Sequence, residues 1–414
     1  MERTADIFRS MSTGYIEYKP YDFLTIKSTN SYDWINSDYY GYSSPLSRSG
    51  ESVGGYVYNE NAQRERLSTS NMVTFDKTYN NVHHVNILGA FEAEQYKSDN
   101  FSAEGSGLPN ESLSVLSVTA VPTSVSGSSS GNAMISYLSR ANYDFDNKYY
   151  LSGSIRRDGS SRLGLNERWA NFWSISGAWR LTQEDFMAED KFINDLKLRA
   201  SYGTSGTLPS GSYDHLALYS YSGSYDGAGS AVENQISNPD LTWEKNKNYN
   251  IGIEFGVFEN IRGSAEYFTR KTSDLLMNLP LAPTIGAGST MVNIGEMENK
   301  GFEFEIRSDN IIKEDFNWSS TFLFTSVKNK ILKLNNNEEI VSSRQVRREG
   351  LPYYSYYIPI WAGVDPADGT PMWYIVDEEG NVTDEVTHDS KEADPAIAGT
   401  ADPDYYGSIG NNIS

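Results

Sequence analysis

Residues 127–131, Gly-Ser-Ser-Ser-Gly, match by letter the G-x-S-x-G pattern that presents a serine nucleophile. That chemistry needs a strand before the serine and a helix after it, and this Ser/Gly-rich stretch reads as a loop between strands. His83, His84, His215 and His388 offer imidazoles, but none has the spacing of an H-E-x-x-H zinc site. His83 and His84 begin a strand, point to opposite faces and cannot easily share a metal. Residues 365–370 look like a calcium loop, yet Ala367 stands at a ligand position and no Glu closes the frame. Carboxylates abound, with no pair marked out as general acid and base. The expectation is no catalytic residue, no metal site, no cofactor and no enzyme.

Aromatic side chains offer recognition by contact instead. Tyr353, Tyr354, Tyr356, Tyr357, Trp361 and Trp373 gather beside Pro352 and Pro359, giving rigid amphipathic surface with little side-chain entropy to lose. Tyr213, Tyr219, Tyr221 and Tyr225 form a second group. Both groups suit contact with a glycan, a peptide or a lid protein, and they also suit packing of loops on one another.

The elements that must position these residues are strands. In residues 172–181, Trp173, Ile175, Gly177, Trp179 and Leu181 share one face, and Ser174, Ser176, Ala178 and Arg180 the other. Leu196, Leu198, Ala200 and Tyr202 alternate with Lys197, Arg199, Ser201 and Gly203, and Ile251, Ile253 and Phe255 alternate with Gly252, Glu254 and Gly256. Roughly twelve such strands are read, with another beginning at Tyr406. A short helical turn is expected within 183–194. Otherwise the fold class is all-β and antiparallel.

The connections alternate in length. Brief turns fall near 20–23, 77–82, 144–148, 258–261 and 308–315, and long polar loops span about 33–65, 97–132, 205–241 and 330–405. Transmembrane β-barrels show this asymmetry, with short periplasmic turns and long extracellular loops. A soluble or surface-attached β-rich protein, such as an adhesin or carbohydrate-binding module, shares the alternation within strands. Several segments, however, reach the ~9–11 residues that cross hydrocarbon, against ~5–6 for an average sandwich strand.

Composition narrows the partners. A net charge of −21 argues against nucleic acid, because neutralising phosphates takes Lys and Arg. The acid excess is concentrated at Asp377, Glu378, Glu379, Asp384, Glu385, Asp389, Glu392 and Asp394. Cysteine is absent, which excludes disulfides and thiolate metal sites. No run of about 18 apolar residues exists, so no transmembrane helix is expected. Residues 1–20 lack the apolar core of a signal peptide.

Ordered segments then point to a family. SIRRDGSSRLG from Ser154, GAWRLTQEDFM ending at Met187, LKLRASYGTSG from Leu196, NPDLTWEKN from Asn238, KTSDLL from Lys271, VNIGEMENKGFEFEI from Val292 and WAGVDPADGTP from Trp361 occur in sequence. Together they resemble the SusC/RagA-type TonB-linked outer-membrane transporters, from about Gly14 to the C-terminus. Within them, Asp158 and Gly159 suit a tight bend, Asn238 and Pro239 a turn at loop re-entry, and Gly301 a bulge or close backbone approach. Arg156 and Arg157 suit pairing with loop carboxylates or water.

The resemblance implies a closed barrel of about 22 strands with a plugged lumen in a Gram-negative outer membrane. It also implies import of a large nutrient, an oligosaccharide or peptide, with a SusD-like surface lipoprotein over the barrel and the TonB complex supplying energy. Signal peptide, plug and TonB-contacting segment are not recognisable, and Ser414 stops as a strand begins. Residues 1–414 are therefore expected to be one part of the β-barrel domain, an internal fragment whose wall contacts outer-membrane lipid.

Overall fold

A computed structural model describes residues 2–187, 192–225, 228–286, 288–335 and 338–414. The chain opens with eight strands: β1 (Glu2–Tyr21), β2 (Leu24–Ser43), β3 (Tyr56–Tyr79), β4 (His83–Ser106), β5 (Val121–Phe145), β6 (Tyr149–Ser160), β7 (Trp169–Arg180) and β8 (Ile193–Thr207). A hairpin of β9 (Leu218–Tyr225) and β10 (Ala228–Gln235) precedes β11 (Glu244–Val257) and β12 (Ile261–Ser273). Next, β13 (Leu276–Pro280) and β14 (Ser289–Asn293) precede β15 (Glu296–Lys313) and β16 (Phe316–Lys333). Seven short strands follow: β17 (Ile340–Ser342), β18 (Gln345–Arg347), β19 (Ser355–Ile358), β20 (Trp361–Val364), β21 (Pro371–Val376), β22 (Val382–Thr387) and β23 (Ala396–Thr400). The last strand is β24 (Tyr406–Ile413).

One 13-stranded antiparallel sheet, in the order β1 to β8, β11, β12, β15, β16, β24, makes the wall. Strands adjacent in the chain pair in the sheet, so every wall connection is a hairpin or a decorated hairpin. The intervening short strands form three small sheets of their own.

Turn chemistry builds the trimmed rim. Asn80 and Asn81, and again Asp146 and Asn147, occupy consecutive left-handed positions, the backbone that a tight hairpin of twisted strands requires. Asp144 accepts the Asn147 N–H at 2.8 Å, which holds the second of these turns. The 314–315 turn is tighter than the sequence suggests, because β15 continues to Lys313. This rim carries 3₁₀ turns at Leu181–Gln183 and Asp185–Met187, the second within the stretch where a short helical turn is expected.

On the opposite rim the 205–241 and 330–405 expectations correspond to decorated connections at 208–243 and 334–405. Two others are corrected. Most of 33–65 belongs to β2 and β3, and most of 97–132 to β4 and β5, leaving connections at 44–55 and 107–120. Residues 127–131 are likewise strand, opposite residues 97–101 of β4. The reason is solvent: strands that rise beyond the bilayer pair through their backbones in water, where side chains need not alternate apolar and polar. Asn61 there donates to both Asn36 (2.9 Å) and Asp38 (2.5 Å), a polar ladder that no hydrophobic period marks.

The Asp158 expectation is corrected too. Asp158 lies within β6, buried, and accepts Arg156 Nε–H at 2.6 Å, while Arg156 also donates to Glu92 (3.0 Å) and Ser136 (2.7 Å). The bend comes afterwards, at 161–168. Gly301 does meet a close approach: a Cβ there would stand 2.8 Å from the Phe268 ring and 2.4 Å from the Ser326 carbonyl oxygen.

The sheet faces are chemically opposite. Trp173, Ile175, Trp179, Leu151, Ile155 and Ile251 are exposed on the outer face, where a soluble fold would have its core. His83, Phe145, Tyr149 and Trp179 form a run of ring contacts across β4 to β7 near the trimmed rim. Phe91, Tyr137 and Trp169 form another towards the far rim. On β5 the two bands are carried by Phe145 and Tyr137, about 27 Å apart along the strand at ~3.4 Å per residue. At the usual tilt of about 40° that spacing rises about 21 Å along the membrane normal, on the scale of the apolar band, about 25 Å tall, that lies between two aromatic girdles.

Candidate functional site

The family-like segments converge at the decorated rim. Leu163 from SIRRDGSSRLG, Phe172 of β7, and Leu241 and Trp243 from NPDLTWEKN pack into a buried apolar cluster, with Phe172 and Trp243 edge to face at 5.5 Å. Gly164 donates its N–H to the Leu241 carbonyl at 2.9 Å, and a Cβ at that position would stand 2.0 Å from the Pro239 oxygen. Only glycine lets the two segments meet this closely. Asn238 makes the expected turn: its Oδ1 accepts the Asp240 N–H at 3.2 Å and its carbonyl accepts the Leu241 N–H at 3.2 Å. Its Nδ2 reaches the Met291 carbonyl on β14 at 2.9 Å.

Beside this hub, the 334–405 connection folds back onto the inner wall. Asn329 of β16 accepts the Tyr353 N–H at 2.7 Å, which seats Tyr353 and Tyr354 over the wall, their rings edge to face at 5.0 Å. The two tyrosines line an open-sided cavity of about 460 Å³. Met297 and Asn299 of β15, Val327 and Asn329 of β16, and Leu275, Leu276 and Met277 at β13 line it together with Glu244, Asp402, Pro403 and Tyr406. Arg347 lies over the Tyr353 ring at 4.3 Å, and burial pushes the Tyr353 phenol pKa upward.

The other aromatics named from sequence are distributed elsewhere. Tyr356 is part-exposed on β19, opposite Gln345, and Arg348 lies 5.8 Å from the Tyr357 ring. Trp361 and Trp373 pair edge to face at 5.8 Å in the β20–β21–β22 sheet, with Trp361 exposed. Tyr213 accepts the Gly131 N–H through its hydroxyl at 3.0 Å, tying the 208–243 connection to β5. Tyr219 and Tyr221 of β9 are exposed; the Tyr225 side chain lies outside the described part. Tyr353 and Tyr354 thus share a cavity, and the remaining residues occupy separate surfaces. Sequence reasoning missed the floor of that cavity. Leu275 and Leu276 stand in KTSDLL, which was a usable signal, whereas nothing local marks Asp402 or Val327.

Lower on the inner wall, Lys197 pairs with Glu254 (3.3 Å) and Arg199 with Glu254 (3.5 Å) and Glu266 (2.5 Å). Tyr150, Ser152, Ser176 and Asn250 complete a polar hollow around them. Ion pairs on the inward face and isoleucine on the outward one fit a water-filled or plugged lumen behind a lipid-facing surface.

The groups considered for catalysis are otherwise engaged. His83 meets the Tyr143 hydroxyl (2.7 Å), His84 meets Asp76 (3.1 Å) on the opposite face, and His388 meets Thr370 (2.9 Å). Asp365 accepts the Ala367 N–H and Asp368 the Thr370 N–H, at 2.8 and 2.9 Å, so 365–370 is a self-satisfied turn. Hydrogen bonds from Thr370 hold the Asp368 pKa below its ordinary value. Among the described residues no cluster of His, Asp or Glu is arranged to hold a metal ion.

An antiparallel sheet with a belted apolar exterior and an ion-paired interior is the wall of a transmembrane β-barrel. The chain belongs to the TonB-dependent receptor family: the model described as "TonB dependent receptor-like, beta-barrel" matches residues 5–396. It is of the SusC/RagA type and an outer-membrane protein. TonB-dependent receptor P3 of Formosa agariphila is 29% identical over 100% of this chain and 43% of its own length. TonB-dependent receptor SusC of Bacteroides thetaiotaomicron is 34% identical over 50% of this chain and 22% of its own. The solved RagAB peptide importer superposes with a TM-score of 0.90 at 25% identity, over 100% of this chain and 46% of that one. The chain therefore spans less than half the length of these relatives.

Proposed function

We propose that the intact protein imports a large nutrient, an oligosaccharide or peptide, across the outer membrane. In this reading the decorated rim faces outward, a SusD-like surface lipoprotein covers it and helps capture the ligand, and TonB-derived energy acts through a plug in the lumen. The wall performs no covalent chemistry. The observation carrying this reading is the Tyr353 N–H bond to Asn329, which folds the longest connection onto the lumen face and builds a cavity there. Aromatic rings in such a position give contact area at low entropic cost. The resemblance to a peptide importer and to SusC supports the same transport class.

Uptake of labelled peptides and oligosaccharides by cells expressing the intact protein tests the proposal. Alanine at Tyr353 and Tyr354 should reduce uptake, and alanine at Tyr356 and Trp361 should weaken either uptake or co-purification of the lipoprotein. If all four replacements leave both unchanged in a normally assembled protein, the recognition role is lost.

A further inference from the structure

The chemistry of the Tyr353/Tyr354 cavity narrows what it can hold. Part of its lining is aliphatic: Leu276, Met277, Met297 and Val327 offer no hydrogen bonds, and Met277 is buried. Asn299, Asn329 and the two tyrosines add neutral polar groups to the same lining. The charged side chains lining the cavity are Glu244 and Asp402, both carboxylates. Glu244 makes one long bond, accepting the Leu276 N–H at 3.4 Å, which leaves it acceptor capacity. Arg347 covers one side of the Tyr353 ring at 4.3 Å, so the recognition of charge falls to the two carboxylates.

The connection as a whole is charged in the same sense. The connection that carries Tyr353 and Tyr354 also carries Asp377, Glu378, Glu379, Asp384 and Glu385, and the chain's net charge is −21. Such a field attracts cations to the rim and repels acidic solutes.

We infer that this cavity is a subsite for a basic side chain of a peptide, its aliphatic stem against Met277, Met297 and Val327 and its charged head between Glu244 and Asp402. The inference rests on the import reading above and adds the ligand class. A long basic side chain suits the shape because it buries its methylene stem while presenting charge at the tip.

Equilibrium binding to the intact protein in outer-membrane vesicles, without energisation, tests it. The probes are a fluorescent heptapeptide with a central lysine, the same peptide with that lysine acetylated or replaced by glutamate, and a neutral glucose heptasaccharide. The lysine peptide should bind about tenfold more tightly than the acetylated one, the scale of one charge-assisted hydrogen bond. Glu244→Gln and Asp402→Asn should each shrink that ratio, and the pair should bring it near one. Equal binding of lysine and acetyl-lysine peptides overturns the inference, as does a wild-type ratio in the double variant or preference for the heptasaccharide. Uptake in energised cells separates the two readings: uptake without charge preference defeats the subsite alone, and charge-selective binding without any uptake defeats the import proposal alone.

Discussion

Asn293 brackets the backbone of Thr242. Its Oδ1 accepts the Thr242 N–H at 2.8 Å, and its Nδ2 donates to the Thr242 carbonyl at 2.9 Å and to the Asp274 carbonyl at 3.1 Å. One amide thereby satisfies backbone groups of two different rim connections, next to the Leu241 and Trp243 cluster. The segments NPDLTWEKN, KTSDLL and VNIGEMEN meet at this side chain, which gives a physical reason for an amide here.

Asn293→Ala should leave the Thr242 groups without these partners. The expected cost is about 1 kcal/mol, the low end of the penalty for stranding backbone polar groups, because Thr242 is half-buried. Thermal unfolding of the intact protein in detergent measures it, and a change within experimental scatter would show that water replaces the amide at no loss.

Leu241→Ala removes a side chain with no exposed surface from the rim cluster. A loss of about 2–5 kcal/mol is expected from the transfer and cavity terms together. Because the cluster lies at the decorated rim, limited proteolysis should show faster cleavage in 208–243 before the wall itself unfolds.

Ile175 and Ser176 are neighbours on β7 with opposite fates. Arg at Ile175 should cost about 2–4 kcal/mol in the lipid-facing band, whereas Arg at Ser176 should be tolerated on the polar inner face. Denaturant titrations of each variant in lipid vesicles compare the two. A spin label at Ile175 that responds to aqueous quenchers but not to lipid-soluble ones would contradict this orientation.

His215 is buried in the 208–243 connection, and desolvation pushes its pKa below the usual value of about 6.5, with nearby Arg168 acting in the same direction. Binding a proton is thus less favourable in the folded state than in the unfolded chain. Its stabilising contribution is complete above about pH 6.5 and is lost as pH falls from there through the depressed folded value. Protease sensitivity of this connection should rise on acidification, and His215→Gln should flatten that dependence. An unchanged pH profile in the variant would assign the effect to other groups.

The wall was legible because a lipid-spanning strand must present apolar side chains on alternate positions, as in 172–181, and because tight hairpins need residues such as Asn80, Asn81 and Asn147. Legibility failed where that demand ended: at 33–65 and 97–132 the strands continue in water, and polar pairs such as Asn61 with Asp38 carry no period.

By itself the sequence determined an antiparallel wall, roughly twelve strands with another beginning at Tyr406 against thirteen observed, and the family motifs along it. Tertiary structure alone decided that Tyr353 and Tyr354 line a cavity while Tyr356, Trp361 and Tyr221 stand apart. Strand alternation is a local consequence of the solvent on each face, whereas the cavity depends on a long connection returning to Asn329. That return is made by contacts distant in sequence, with no local pattern to announce them.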